Sequence, residues 1–272
     1  MSDKRQKTDS NNRLKLKDAR TPTNYWLCLS DEMVLFILRH LPQKDLVTVS
    51  LINRRFRDLS RDDSLWTKLI LDYQDIKQTA DSCRKLVERC KKLETLEITN
   101  ESGDQRSLNI MSVVIRAKKS LKSLNVDSSI RNWTINGMAK LGEMKELKSI
   151  TMTLNAHYLG TVNLLQFPKL DQLEDLCIHI TKFKMFGGPE AVVTMMKNAL
   201  QQLKKLRKVD MTTADESLVD VLAKNNPDLK KMLFCNRGYR DRRLWLTDSL
   251  LQRLRSKYAN IDIERYYRIE RR

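Results

Sequence analysis

Two rhythms of apolar residues divide the chain. Between Trp26 and Trp66 the large hydrophobics fall three and four apart, the spacing of one helix face: Val34, Leu35, Leu38 and Leu41, then Leu46, Val47 and Val49, then Phe56 and Leu59. Ser30-Asp31-Glu32 supplies an N-cap and an acidic first turn for the first helix, and Pro42 is expected to end it. A second helix is predicted over Gln43 to Leu51 and a third over Asn53 to Leu59. Three helices this short bury too little surface to fold robustly alone, so they need a partner or the domain that follows.

Beyond Asp72 the rhythm changes to a recurring L-x-x-L-x-apolar signature. Its copies are Leu93, Leu96 and Ile98; Leu121, Leu124 and Val126; Leu147, Ile150 and Met152; Leu173, Leu176 and Ile178; Leu206, Val209 and Met211; and Leu229, Met232 and Phe234. The intervals between first positions are 28, 26, 26, 33 and 23 residues, close to the roughly 20 to 29 of leucine-rich repeats. Weaker copies extend both ends, Trp66, Leu69 and Leu71 before and Tyr258, Ile261 and Ile263 after. Helical spacing fills the gaps between copies, as in Cys83, Leu86, Val87 and Cys90, or Met195, Met196, Ala199 and Leu203. The expectation is an α/β chain: a short all-helical unit followed by a curved leucine-rich-repeat solenoid, with parallel strands on its concave face and helices on its convex face. His157 to Pro168 and the stretch around Phe186-Gly187-Gly188-Pro189 break the rhythm and are expected to be loops.

Composition adds little except at the ends. The 272 residues are 41% hydrophobic and 31% charged, ordinary for a folded chain. The longest apolar run is Met33 to Leu38, far below the about 20 residues of a membrane span, and the polar N-terminus lacks a signal-peptide core, so an intracellular protein, cytoplasmic or nuclear, is expected. Of the net charge of +17, Met1 to Asn24 carries +4 and Asn236 to Arg272 carries +6. The first segment has Leu14 and Leu16 as its only large aliphatics and is expected to be a flexible basic tail, with Lys4, Arg5 and Lys7 as a faint nuclear-import cluster. Five cysteines (Cys28, Cys83, Cys90, Cys177, Cys235), odd in number and without a CxxC pair, predict mostly buried thiols, and the scattered His40, His157 and His179 predict structural roles. No metal or cofactor is expected. Glycine loops that cradle phosphate, HExxH and the nucleophile elbow are all missing from the sequence, which argues against an enzyme.

The segment Leu27 to Leu71 resembles the F-box. It carries Leu29-Ser30-Asp31-Glu32-Met33-Val34-Leu35-Phe36-Ile37-Leu38, Leu41-Pro42, Asp45-Leu46, Val49-Ser50, Asn53-Arg54-Arg55-Phe56 and Ser64-Leu65-Trp66 in the order and spacing of that motif. Followed by repeats, the chain is similar to the F-box and leucine-rich-repeat proteins. It departs from them in having Ser30 where proline usually follows the first leucine, and Phe56 where tryptophan usually stands near the end of the third helix. The resemblance implies a non-catalytic adaptor of a cullin-type ubiquitin ligase, whose three helices bind a Skp-type linker, and through it a cullin, while the repeats bind a target for ubiquitination. Carried over by position, Leu29, Leu35, Leu38, Leu41, Pro42, Leu46, Val49 and Phe56 would form the linker-facing and hairpin-packing surface, some of them purely internal. The domains expected are residues 1–24 as tail, 25–66 as F-box, 67–264 as about seven to eight repeats and 265–272 as a basic C-terminal tail.

Side chains alternating with the buried strand positions name the face on which a target would bind. These are Thr95, Glu97 and Thr99; Ser123, Asn125 and Asp127; Ser149, Thr151 and Thr153; Asp175, Cys177 and His179; Lys208, Asp210 and Thr212; and Lys231, Leu233 and Cys235. This face is polar and slightly acidic, which disfavours nucleic acid as a partner despite the basic total. A denser positive cluster, Arg237, Arg240, Arg242 and Arg243 with Tyr239 and Trp245, has the chemistry to hold an acidic or phosphorylated peptide. The competing readings are a repeat scaffold without a ubiquitin role and a basic nucleic-acid-binding protein.

Overall fold

The computed structural model describes residues 26, 28–99, 111–114, 116, 120–130, 141–155, 170–181, 189–212, 215–237 and 247–268. Three short helices open it: α1 (Asp31–Leu38), α2 (Gln43–Val49) and α3 (Arg54–Leu59), followed by a 3-10 turn at Asp63–Leu65. The first and third helices start where a side-chain cap is available. Ser30 Oγ accepts the Met33 N–H at 3.3 Å and Asn53 Oδ1 accepts the Phe56 N–H at 2.9 Å, each replacing a partner the first helical turn lacks. The first helix ends at Leu38, earlier than Pro42 was expected to stop it, and Pro42 instead sits at the N-cap of α2. With φ fixed near the helical value and no N–H to satisfy, proline is suited to that start.

The chain then lays down β1 (Lys68–Asp72), α4 (Tyr73–Arg89), β2 (Thr95–Thr99), α5 (Met111–Val114), β3 (Ser123–Ile130), β4 (Ser149–Asn155), β5 (Asp175–Thr181), α6 (Pro189–Leu200), β6 (Lys208–Met211), α7 (Glu216–Asn225), β7 (Lys231–Arg237), α8 (Asp248–Lys257) and β8 (Asp262–Arg268). The eight strands form one sheet in chain order, every neighbouring pair parallel. Register follows the repeated signature. Leu69, Leu96, Leu124, Ile150, Leu176, Val209, Met232 and Ile263 align in one row, and Leu71, Ile98, Val126, Met152, Ile178, Met211 and Phe234 in the next. Both rows are buried, and with Val87, Val113, Met196, Leu218, Leu222, Leu251 and Leu254 from the helices they make one core between sheet and helices. At about 1.5 to 3 kcal/mol for each fully buried aliphatic side chain, this stacking is the main source of stability.

Main-chain bonds just ahead of the strands fix that register. The Glu94 carbonyl accepts from the N–H groups of both Lys122 and Ser123, Lys122 does the same for Lys148 and Ser149, and Lys148 for Glu174 and Asp175. The first leucine of each copy (Leu93, Leu121, Leu147, Leu173, Leu206, Leu229) lies two residues before its strand and is buried. Buried Asn226 ties successive units, its Oδ1 accepting from Leu206 N at 2.8 Å and its Nδ2 donating to Leu222 O at 3.0 Å.

Two expectations need correction at the C-terminal end. Met232 pairs with Ile263 and Phe234 with Arg265, so the trailing copy is two residues out of the frame read from Tyr258, Ile261 and Ile263. Arg265 stands where a buried residue would, because no further strand is paired beyond β8 among the described residues, and the guanidinium reaches Asp248 instead. β8 also runs to Arg268, taking in four residues assigned to a tail. Both expected loops, His157 to Pro168 and the Phe186 to Gly188 stretch, lie outside the described residues. No helix among the described residues is long and apolar enough to cross a membrane.

Candidate functional site

The helical region is held by a polar clamp as well as by its small core. Arg55 donates from Nε to Asp31 Oδ1 at 2.8 Å, from one terminal nitrogen to Trp26 O at 2.8 Å and from the other to Leu29 O at 2.6 Å. Charge-assisted bonds of this kind pin α3 against the entry to α1. Trp26 meets Phe56 edge-on, with ring centroids 5.4 Å apart. Trp66 is buried, donates Nε1–H to Ser60 O at 2.7 Å and lies under the Arg89 guanidinium at 5.7 Å. The Ser30 hydroxyl, hydrogen-bonded to Glu32, holds the Glu32 carboxyl below its ordinary value, and bonds from Ser64 do the same for Asp62, which caps the 3-10 turn.

Packed this way, the hairpin turns only part of its apolar surface inward. Val34, Leu38, Leu46 and Phe56 are buried, while Phe36 is 63% exposed, Leu51 74% and Ile52 63%, with Met33, Ile37 and Val47 exposed beside them. Apart from Ile70, every exposed large hydrophobic among the described residues belongs to this helical region. Of the expected linker-facing residues, Leu38, Leu46 and Phe56 are therefore internal and hold the helices to one another. Leu29, Leu35, Leu41 and Val49 are half-buried and Pro42 is exposed. Met33, Phe36, Ile37, Val47, Leu51 and Ile52, exposed here, were not among the expected residues. The signal for them was there: α1 reads Met33-Val34-Leu35-Phe36-Ile37-Leu38 without a polar interruption, and a helix apolar all round has a second face to cover.

The sheet offers a different surface. Glu97, Asn125 and Thr151 stand half-exposed on adjacent strands and Asp175 is exposed. Glu97 receives Lys68 Nζ at 3.2 Å and, more weakly, Asn125 Nδ2 at 3.4 Å. Lys231 bridges Asp262 and Glu264, both at 3.0 Å, and the bond it donates to Glu264 raises its pKa. Three positions expected on this face, Thr153, His179 and Cys235, are buried. His179 lies between Ile178 and Ile180, which are buried too, so near the end of β5 both strand faces are covered and burial no longer tells them apart. Asp210 is only slightly exposed. Tyr266 reaches over from β8 and donates its hydroxyl to both Asp210 oxygens, at 3.0 and 2.9 Å, and burial pushes the phenol pKa up. Cys177, His179 and Asp210 bring a sulfur, a ring nitrogen and a carboxylate oxygen to within 4.8 Å of one another. Cys83 and Cys90 are buried as expected of structural thiols, whereas Cys28 is exposed. Arg237 ends β7, and Arg240, Arg242 and Arg243 lie outside the described residues, as do His157 and the side chain of Asp127.

The described residues thus form a small helical unit with an exposed apolar face, followed by an α/β region with one parallel sheet. Residues 26–72 match the F-box-like family model. The chain therefore carries an F-box-like domain, a kind of domain that typically serves as a non-catalytic adaptor, binding Skp-type linkers in ubiquitin ligase complexes. A comparison with curated proteins found no match to the chain.

Proposed function

We propose that this chain is the substrate-recognition subunit of a cullin-type ubiquitin ligase. Residues 25–66 dock on a Skp-type linker, and residues 67–264 form a leucine-rich-repeat solenoid whose polar sheet face holds the target. The observation that carries the first half is the concentration of exposed apolar side chains on α1, α2 and the turn after α2, from Met33 to Ile52. An isolated globular surface seldom leaves such a patch bare, and its rim of charged and polar groups suits a protein partner. The regular register of the strand signature supports the second half, since stacked units of this length bury a common core while leaving one strand face polar.

On that face the candidate target contacts are Glu97, Asn125, Thr151, Asp175 and Asp210, with Asp127 and the Arg237, Arg240, Arg242 and Arg243 cluster as further candidates. The acids favour a target segment with basic or hydrogen-bonding groups, and the arginines an acidic or phosphorylated one. Lys231 is already engaged by two carboxylates, which speaks against a phosphate backbone on the face. Such a subunit works in the cytoplasm or nucleus.

Affinity purification from cells tests the reading. Wild-type chain is expected to recover a Skp-type linker and a cullin, and Phe36→Glu/Leu51→Glu to lose both. Recovery of neither by well-expressed wild type would overturn it.

A further inference from the structure

We infer that Cys177, His179 and Asp210 form a binding site for one zinc ion on the polar face of the sheet. The topology makes the site. Cys177 and His179 are two residues apart on β5 and so share a face, and the parallel register sets Asp210 of β6 directly opposite Cys177. One donor atom from each lies within 4.8 Å of the other two, and His179 Nε2 is 3.9 Å from Asp210 Oδ2. A tetrahedral zinc with bonds of about 2.0 to 2.3 Å holds its donors roughly 3.3 to 3.8 Å apart. The side chains must close by about 1 Å, which small χ rotations supply without moving either strand.

The donor chemistry selects the ion. One thiolate, one imidazole and one carboxylate suit zinc, whereas magnesium and calcium take all-oxygen shells. His179 is only 2% exposed, so its ring is held by packing before any ion arrives. Tyr266 donates to both oxygens of Asp210 from two strands away, the kind of outer contact that orients a metal-binding carboxylate. Cys177, by contrast, is half-exposed, which leaves a path from solvent. Binding transfers the Cys177 thiol proton to solvent as the sulfur–metal bond forms, so affinity falls as pH falls. Three protein donors leave the fourth position to water or to a group from a bound protein. None of this depends on the ubiquitin reading.

Cobalt titration of the full, untagged chain tests the site, cobalt standing in for zinc as a spectroscopic probe. Wild type is expected to bind one equivalent, with the visible bands of a four-coordinate ion and a near-ultraviolet thiolate-to-cobalt band. Cys177→Ser abolishes the thiolate band, Tyr266→Phe weakens binding about tenfold through the misoriented carboxylate, and Cys28→Ser changes nothing. In the wild-type chain, where folding of a variant is not in question, added zinc slows iodoacetamide alkylation of Cys177 but not of Cys28. Absence of stoichiometric binding, a thiolate band that survives Cys177→Ser, or alkylation of Cys177 indifferent to zinc would each overturn the assignment.

Discussion

The helical region and the sheet region spend their hydrophobic residues in opposite ways. In the sheet, leucine, isoleucine, valine and methionine occupy two continuous rows that face the helices, and the other strand face is polar. In the helical region a core of Val34, Leu38, Leu46 and Phe56 is ringed by Met33, Phe36, Ile37, Val47, Leu51 and Ile52, all exposed. One unit satisfies itself by repetition, each strand covering the last. The other has no next copy to cover it, so its apolar surface is left for something else. The same residue type thus serves stability in one place and, on the proposed function, association in the other.

Substitutions can break that contrast, beginning with the greatest effect. Leu124→Ala removes a side chain 1% exposed in the middle of the first row, and is expected to cost about 2 to 5 kcal/mol of folding stability in urea unfolding, because neighbouring rows close the cavity only partly. Phe36→Glu/Leu51→Glu should leave the unfolding midpoint near that of wild type while reducing binding of a Skp-type linker by more than about 2 kcal/mol in calorimetry. A midpoint that fell as far as in Leu124→Ala would mean these side chains are structural after all. Trp66→Phe, at the junction of the two regions, keeps most of the ring but leaves the Ser60 carbonyl without its donor. It should cost about 1 to 2 kcal/mol.

The smallest effect lies far from both surfaces. Asp220 on α7 accepts from Lys257 Nζ and from the Tyr258 hydroxyl, and these bonds hold its carboxyl below the ordinary 3.8. A carboxyl depressed in the folded state stabilises fully above its unfolded value and loses that contribution as pH falls through the folded one. Asp220→Asn is therefore expected to cost less than about 1 kcal/mol at neutral pH, given the half-exposed partners. Thermal melts of the two chains should begin to converge only as pH falls below about 4.

Much of the sheet was legible because its periodicity is simple. A signature of buried residues at fixed offsets, repeated, leaves one parallel register, and six copies from Leu93 to Phe234 fall into it. The end copy misled because Ile261 and Ile263 mimic the pattern, while pairing is decided by where α8 releases the chain. On the helices the caps at Ser30 and Asn53 could be read directly. So could the buried face of α1, since Val34 and Leu38 of the expected stripe are buried and Leu35 is half-buried; that Met33, Phe36 and Ile37 stay exposed could not, because Met33 to Leu38 is apolar all round. The convergence of Cys177, His179 and Asp210 was only partly legible. The sequence places all three on one strand face, but only strand pairing across 33 residues sets Asp210 opposite Cys177 and brings sulfur and carboxylate together.

A sheet built one strand at a time has two raw ends, and each bears main-chain groups able to recruit a strand from another molecule. At the first end Gln43 of α2 reaches over with Oε1 to accept the Ile70 N–H at 2.8 Å. At the last, Arg255 of α8 donates Nε–H to the Ile263 carbonyl at 2.7 Å. Each terminal strand thus has a main-chain group already occupied by a side chain from its own molecule. A second copy stacking end to end would first have to displace those bonds.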